Sequence, residues 1–177
     1  MDWPAAALPS YLALGPTPAG PSFSMTRRPI VIDSVKAGSN DRDAGLTLDD
    51  NEYTKWHSSG DQEDGWITYK FDKPRIVNQV CLKLDRWRNT SYPVKVMVDD
   101  EMVLSGPTPC TLGYVTLTFE PKRGRELTIS LGGATTVDDA FGQIVEVTGI
   151  IDQAHASKSS RLSIAEAEVY GPLNESK

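Results

Sequence analysis

Along this 177-residue chain, apolar and polar side chains alternate with a period of two in one stretch after another. That period restricts the fold more than any other feature, because it lines one face of a strand and does not suit a helix. Ile67, Tyr69 and Phe71 oppose Trp66, Thr68 and Lys70, and Val80, Leu82 and Leu84 oppose Cys81 and Lys83. Val94, Val96 and Val98 alternate with Lys95, Met97 and Asp99. Val115, Leu117 and Phe119 alternate with Thr116 and Thr118, and Leu127, Ile129 and Leu131 with Thr128 and Ser130. Asp-Lys-Pro, Asp-Asp, Pro-Thr-Pro and Lys-Arg-Gly punctuate these runs as turns, so each run reads as a half-buried antiparallel strand. Arg123 and Arg125 fall in one such expected hairpin turn. Ile30 and Ile32 begin an earlier strand, Ile144 to Val147 suggest a later one, and Leu162–Gly171 closes the chain. In that closing segment Leu162 and Ile164 take one parity and small apolar residues the other, so its phase is ambiguous. No stretch has an amphipathic helical pattern. Seven or eight strands imply an all-β fold, an antiparallel β-sandwich of the jelly-roll kind. Trp56 and Trp66 are expected in its core.

Residues 1–27 hold Pro4, Pro9, Pro16, Pro18 and Pro21 among alanines and glycines, which suits a leader or linker. Residues 28–172 form the expected domain and 173–177 a short tail. A net charge of −6 argues against nucleic acid or an anionic membrane as the main partner. No run approaches the roughly 20 apolar residues of a membrane span, and Met1–Met25 lacks the layout of a signal peptide. Cys81, inside an apolar run, reads as a buried thiol and Cys110 as a loop residue. Whether they are bridged is left open by the sequence.

Three stretches invite a functional reading. Asp49, Asn51 and Thr54 place oxygen-bearing side chains within a short irregular loop. With Glu166 and a backbone carbonyl they would suit a hard cation of calcium size. An Asx-rich turn bonding its own backbone explains the same residues. The second stretch, Asp85–Tyr92, sets Trp87 between Arg86 and Arg88, with Asn89 following. An aromatic platform beside planar donors suits the apolar face and hydroxyl fringe of a sugar. Trp87 capping the sandwich, with its arginines paired to acids, is the alternative. His57 follows Trp56 and could face the same cluster, or serve as a structural hydrogen bonder. His155 has no visible partner. For catalysis there is no nucleophile elbow, metalloprotease helix or phosphate loop, and the acidic pairs Glu63/Asp64 and Asp138/Asp139 read as solvated loops.

The ordered segments LDDNEYTKWHSS, GWITYKFDKPRIVNQVCLKL, RWRNTSYPVKVMVDD and SIAEAEVYG resemble the discoidin, or coagulation-factor type C, domains. Within that galactose-binding-like superfamily the chain is most similar to family-32 carbohydrate-binding modules, particularly those appended to bacterial β-galactosidase-type glycoside hydrolases. The resemblance covers about residues 30–171 and rests on order and spacing of short motifs.

It implies a jelly roll with a structural calcium, bound by Asp49, Asn51, Thr54 and Glu166 with the carbonyls of Leu46 and Ala165. Many relatives carry glycine where this chain has Asp50, so the backbone there is expected in a conformation that L side chains resist. Ligand contacts map onto Trp87, Arg86, Arg88, Asn89 and His57, from loops near Asn40–Asp43, His57–Asp64 and Arg86–Asn89, with Asp152–Ser160 as an optional further loop. The function implied is a non-catalytic module that binds a galactose-like sugar or polysaccharide and targets an attached hydrolase, in a secreted, periplasmic or cell-surface protein. The alternative is an interaction domain packing on a catalytic neighbour without a sugar site of its own.

Overall fold

The computed structural model describes residues 27–137 and 161–173. The leader with Trp3 and Tyr11, the Ile144–Val147 strand, the Asp152–Ser160 loop and His155 lie outside them.

Within the described residues the strands are β1 (Arg28–Pro29), β2 (Ile32–Ala37), β3 (Trp56–His57), β4 (Trp66–Leu84) and β5 (Thr90–Ser91). They continue with β6 (Pro93–Val98), β7 (Glu101–Pro107), β8 (Val115–Leu131), β9 (Thr136–Val137) and β10 (Ser163–Gly171). Every pairing is antiparallel. β4 and β8 pair from Trp66↔Ser130 to Leu82↔Val115 and bend together midway. On one side of the bend the order is β2-β4-β8-β6-β7; on the other, β10 lies between β4 and the short strands β1 and β3. Strands that bend from one layer into the next make the corner of a sandwich. No described helix is long and apolar enough to cross a membrane.

Every alternation read from the sequence has its apolar parity inside. Ile67, Tyr69, Val80, Leu82, Leu84, Val96, Val98, Leu127 and Ile129 are at most 1% exposed and join one core. Trp56 is fully buried within it, its indole N–H donating to the Ser39 carbonyl at 2.9 Å. Trp66 is a correction. It takes the outer parity of β4 and lies half-buried against Gly38, so close that a Cβ on Gly38 would stand 2.5 Å from its Nε1.

Two expected turns are also corrected. Neither Asp72-Lys73-Pro74 nor Lys122–Glu126 ends a strand; both sit at the shared bend of β4 and β8. The ladder skips from Lys70↔Glu126 to Arg75↔Gly124, leaving four β4 residues opposite one of β8. Pro74, which has no N–H to donate, falls within that unpaired stretch. The amides freed on β8 are taken by Asp99, whose Oδ1 accepts from Arg125 N at 2.8 Å and Glu126 N at 3.1 Å. Asp99 lies in the β6–β7 turn with φ 52°.

The stretch read as a polar loop from Lys36 to Ala44 gives its first residues to β2, then forms a 3₁₀ segment, Asp41–Leu48. Ala44 and Thr47, three residues apart as that geometry requires, are its buried pair. The Tyr69 hydroxyl, from the core, donates to Thr47 Oγ1 (3.2 Å), and Thr47 donates to the Ala44 carbonyl (2.9 Å), tying the segment to β4. Both cysteines are free, with Cys81 buried as expected.

At the bend, a Cβ on Gly124 would stand 2.4 Å from Val98 Cγ1. Gly124→Ala should therefore cost about 1–3 kcal/mol through overpacking. The loss should appear as a lower urea midpoint with unchanged slope.

Candidate functional site

The ambiguous phase of the closing strand is resolved by a bulge. Ile164 faces Leu84 and Glu166 faces Lys83, so two residues of β10 advance against one of β4. The extra residue is Ala165. Before it, Leu162 and Ile164 point into the core; after it, Ala167 and Val169 do. A bulge flips the parity of all that follows, and both parities are apolar for that reason.

Glu166, just past the bulge, is 6% exposed. It is in electrostatic reach of Asp49, Asp50 and the Tyr69 hydroxyl, so the two distant pieces of chain do meet. Burial is the main cause of a carboxyl pKa raised above the ordinary glutamate value. Asp49 and Asp50 push the same way, while backbone amides of Asn51 and Asp50 partly offset them. Its Oε1 is buried without a hydrogen-bond partner.

The facing loop carries both readings of its sequence. Asp49 Oδ1 accepts from Asn51 N (3.1 Å) and Asn51 Oδ1 from Tyr53 N (3.2 Å), two Asx turns in series. Thr54 Oγ1 stands 3.0 and 2.8 Å from the two Asp49 oxygens and 2.8 Å from the Asn51 carbonyl. One hydroxyl proton can serve only one of these three acceptors at a time. The loop thus gathers more oxygen lone pairs than protons, beside an orphaned carboxylate oxygen. Asp50 has φ 56°, a left-handed conformation that L side chains resist, as expected at that position. Leu46 lies in the 3₁₀ segment that packs on β10, and Ala165 is the bulged residue. Among the described residues no three His, Cys, Asp or Glu side chains are grouped to hold a metal. A cation here would depend equally on amide, hydroxyl and carbonyl oxygens.

The second cluster is the turn between β4 and β5. Arg86, with φ 51°, directs its carbonyl to the amides of Asn89 and Thr90, both at 3.0 Å. Thr111 N donates to the Trp87 carbonyl (3.1 Å) and the Tyr92 hydroxyl to the Asp85 carbonyl (2.9 Å). The backbone is therefore pinned from three sides. Trp87 is half-buried, outside the core, and the Arg88 guanidinium stands 4.8 Å over its ring. Arg86, Trp87, Arg88 and Asn89 border an open hollow of about 370 Å³. A smaller one, about 130 Å³, separates this turn from the oxygen-rich loop, with Tyr53 on one side and Trp87 on the other. Lys55 crosses between them to Asp85 (2.8 Å), and Lys83 pairs with Glu52.

His57, in β3, pairs with Ser163 of β10, whose carbonyl accepts from Asp85 N at 3.0 Å, so one strand lies between His57 and the start of the Trp87 turn. The His57 carbonyl accepts from Asn40 Nδ2 at 2.7 Å. Sequence reasoning also missed the Cys110–Leu112 loop, which borders a further hollow together with Arg88. Leu112 there is 83% exposed. No periodicity marks that loop, so only coordinates reveal its neighbour.

Neither a protein-family model nor a curated protein matches the sequence. Solved structures do match the fold. One is the CBM32 of AlyQ in complex with 4,5-unsaturated mannuronic acid, 20% identical with a TM-score of 0.60, covering 80% of this chain and 97% of that one. A truncated AlyQ with CBM32 and alginate lyase domains matches with a TM-score of 0.63 at 20% identity, over 84% of this chain and 34% of that one. CBM32-3 from a family 31 glycoside hydrolase of Clostridium perfringens is 24% identical with a TM-score of 0.51, over 77% of this chain and 90% of that one. The chain has the β-sandwich fold of these carbohydrate-binding modules.

The raised pKa of Glu166 fixes the sign of a pH effect in metal-free protein. Below the ordinary glutamate range both states are protonated. As pH rises through the higher folded value, the folded state takes on a charge that the unfolded chain carries in water, so stability falls. In chelator, Glu166→Gln should melt at or above wild type at neutral pH, with the difference vanishing in acid. Thermal scans across pH check this.

Proposed function

We propose that a chain with this fold acts as a non-catalytic carbohydrate-binding module, with the Trp87 turn as its contact surface. The observation that carries this reading is an aromatic ring kept out of the core on a pinned turn, beside an open hollow. Pinning lowers the ordering entropy that a ligand must overcome. Trp87 supplies apolar area for the C–H face of a sugar, and Arg86, Arg88 and Asn89 supply donors for hydroxyls. Support for sugar as the ligand class comes from the similarly folded CBM32 of AlyQ, which is in complex with a mannuronic acid derivative.

A shallow site around one aromatic removes little surface from water, so Kd should lie near 0.1–1 mM. Modules on similar folds belong to a lyase and a glycoside hydrolase, which favours a role in holding an attached enzyme near glycan. A secreted, periplasmic or surface protein follows from that role. The exposed Leu112 beside the hollow favours a second reading, an interface with a neighbouring protein.

For the oxygen-rich loop we propose a structural calcium held by Asp49, Asn51, Thr54 and Glu166 with the carbonyls of Leu46 and Ala165. The orphaned Glu166 Oε1 supports it, since a buried carboxylate oxygen without a partner is costly. A cation bound to the native state alone would stabilise the fold.

Two measurements test these readings. Trp87→Ala should abolish binding on a glycan array while shifting the melting temperature by no more than about 2 °C. A larger drop would assign the ring to the fold. A chain that binds no sugar yet associates with a catalytic neighbour would favour the interface. Chelation should lower the melting temperature by about 5–10 °C relative to calcium at a hundred times Kd. Asp49→Ala should remove the calcium response, whatever its own stability.

A further inference from the structure

We propose that the contact surface runs past Trp87 to Tyr53 and takes two linked sugar rings rather than one, with Tyr53 as the platform for the second. This rests on the carbohydrate-binding reading above and sets the length of ligand that the site takes.

Tyr53 lies outside the core and is 98% exposed, more than Leu112 at 83%. Its stem is nonetheless held. The Tyr53 amide donates to Asn51 Oδ1 (3.2 Å), and the amide of the next residue, Thr54, to the Asn51 carbonyl (3.0 Å). Thr54 Oγ1 in turn stands 2.8 Å from Asp49 Oδ2. An aromatic ring on a fixed stem repeats the arrangement of Trp87 on its pinned turn. Such a residue offers a large contact area for the loss of only two side-chain torsions.

The two rings face a common space. Tyr53, Lys55, Asp85 and Trp87 border the smaller hollow, of about 130 Å³, together with the buried strand residues Leu84 and Ala165. Arg86 and Trp87 border the larger hollow as well, whereas Arg88 and Asn89 do not reach the smaller. Trp87 is therefore a divide with a hollow on either side. A single ring in the larger hollow leaves the Tyr53 side unfilled, and the next ring of a chain enters it.

Polar groups on the two sides differ in kind. Arg86, Arg88 and Asn89 bring donors, while the Tyr53 side adds carboxylate acceptors. Asp85 is held by Lys55 at 2.8 Å, and Glu52 by Lys83. A carboxylate keeps lone pairs beyond the one its lysine takes, and an ammonium keeps further N–H groups. Sugar hydroxyls donate and accept, so they can bridge these pairs without breaking them, through charge-assisted hydrogen bonds. An aromatic face for the C–H side of a ring, next to such groups, is the combination already met at Trp87.

The test starts from a glycan array carrying galactosides, glucosides, mannosides and their uronates, each as one ring and as two. Titration calorimetry of the whole chain follows, with free sugars of the series that binds. Two rings should bind about five- to ten-fold tighter than one. Tyr53→Ala should reduce the two-ring affinity to the one-ring value while leaving the one-ring affinity and the melting temperature unchanged, as expected of an exposed ring. Tyr53→Phe should keep the advantage, because the ring face makes the contact. Equal affinity for one ring and two, an advantage surviving Tyr53→Ala, or one lost in Tyr53→Phe would overturn the proposal and leave the carbohydrate reading standing. If no sugar of either length binds, the reading beneath falls and the proposal with it.

Discussion

The bent pairing of β4 with β8 is the constraint from which the other parts of this molecule take their places. Neither strand stops at its proline or glycine; the ladder slips by three residues and carries on around the corner. A continuous antiparallel pair serving both layers fixes how they stack, because the same two strands carry inner residues of both halves. The corner is close-packed. Gly124 admits Val98, and Asp99 caps the two amides that the slip exposes. Since buried backbone donors need partners, a bend without Asp99 would leave Arg125 and Glu126 amides dependent on water.

From that corner β4 runs on to Leu84, and the candidate site begins at the next residue. The turn after β4 and the bulge of β10 are neighbours, because β10 lies along the same half of β4. Asp85 N even donates to the Ser163 carbonyl at 3.0 Å. A rim assembled this way has a rigid floor of paired strands and walls of loops. Trp87 turn and oxygen-rich loop are joined across the floor by the Lys55–Asp85 contact. Partly exposed, that ion pair contributes little energy.

How much of this was legible beforehand divides along physical lines. Alternation reports which side of a strand faces oil, and so the inner parity of β4, β6 and β8 was readable residue by residue. It fails where a long-range contact decides. Pro74 and Gly124 carry ordinary turn signals, and only their mutual position across a ladder turns them into a bend. Trp66 was expected in the core with Trp56 from its place in a β pattern, yet its parity is the outer one, and Gly38 supplies the groove that shelters it. The mixed phase of Leu162–Gly171 was itself the mark of a bulge, since a strand that keeps one register cannot bury both parities on one face. For the site, composition singled out the Trp87 turn and the Asp49–Thr54 loop because neither has a period. His57 was grouped with them by proximity to Trp56 in sequence, and one strand, β10, lies between it and the Trp87 turn.

The remaining tension is between the charge of the whole and the charge of the site. A net −6 disfavours any approaching anion at long range. At physiological ionic strength, however, exposed charges more than about 8 Å apart are largely screened from one another. An anion arriving at the turn therefore responds to Arg86 and Arg88 and hardly to the total. Among the described residues, the matched pairs Lys55–Asp85 and Lys83–Glu52 cancel as near dipoles beside the exposed guanidiniums of Arg86 and Arg88. Net charge then limits how fast such a ligand is collected, and contact geometry limits how tightly it is held. An acidic protein with arginines at its rim is in this sense consistent, because net charge and contact geometry act at different distances.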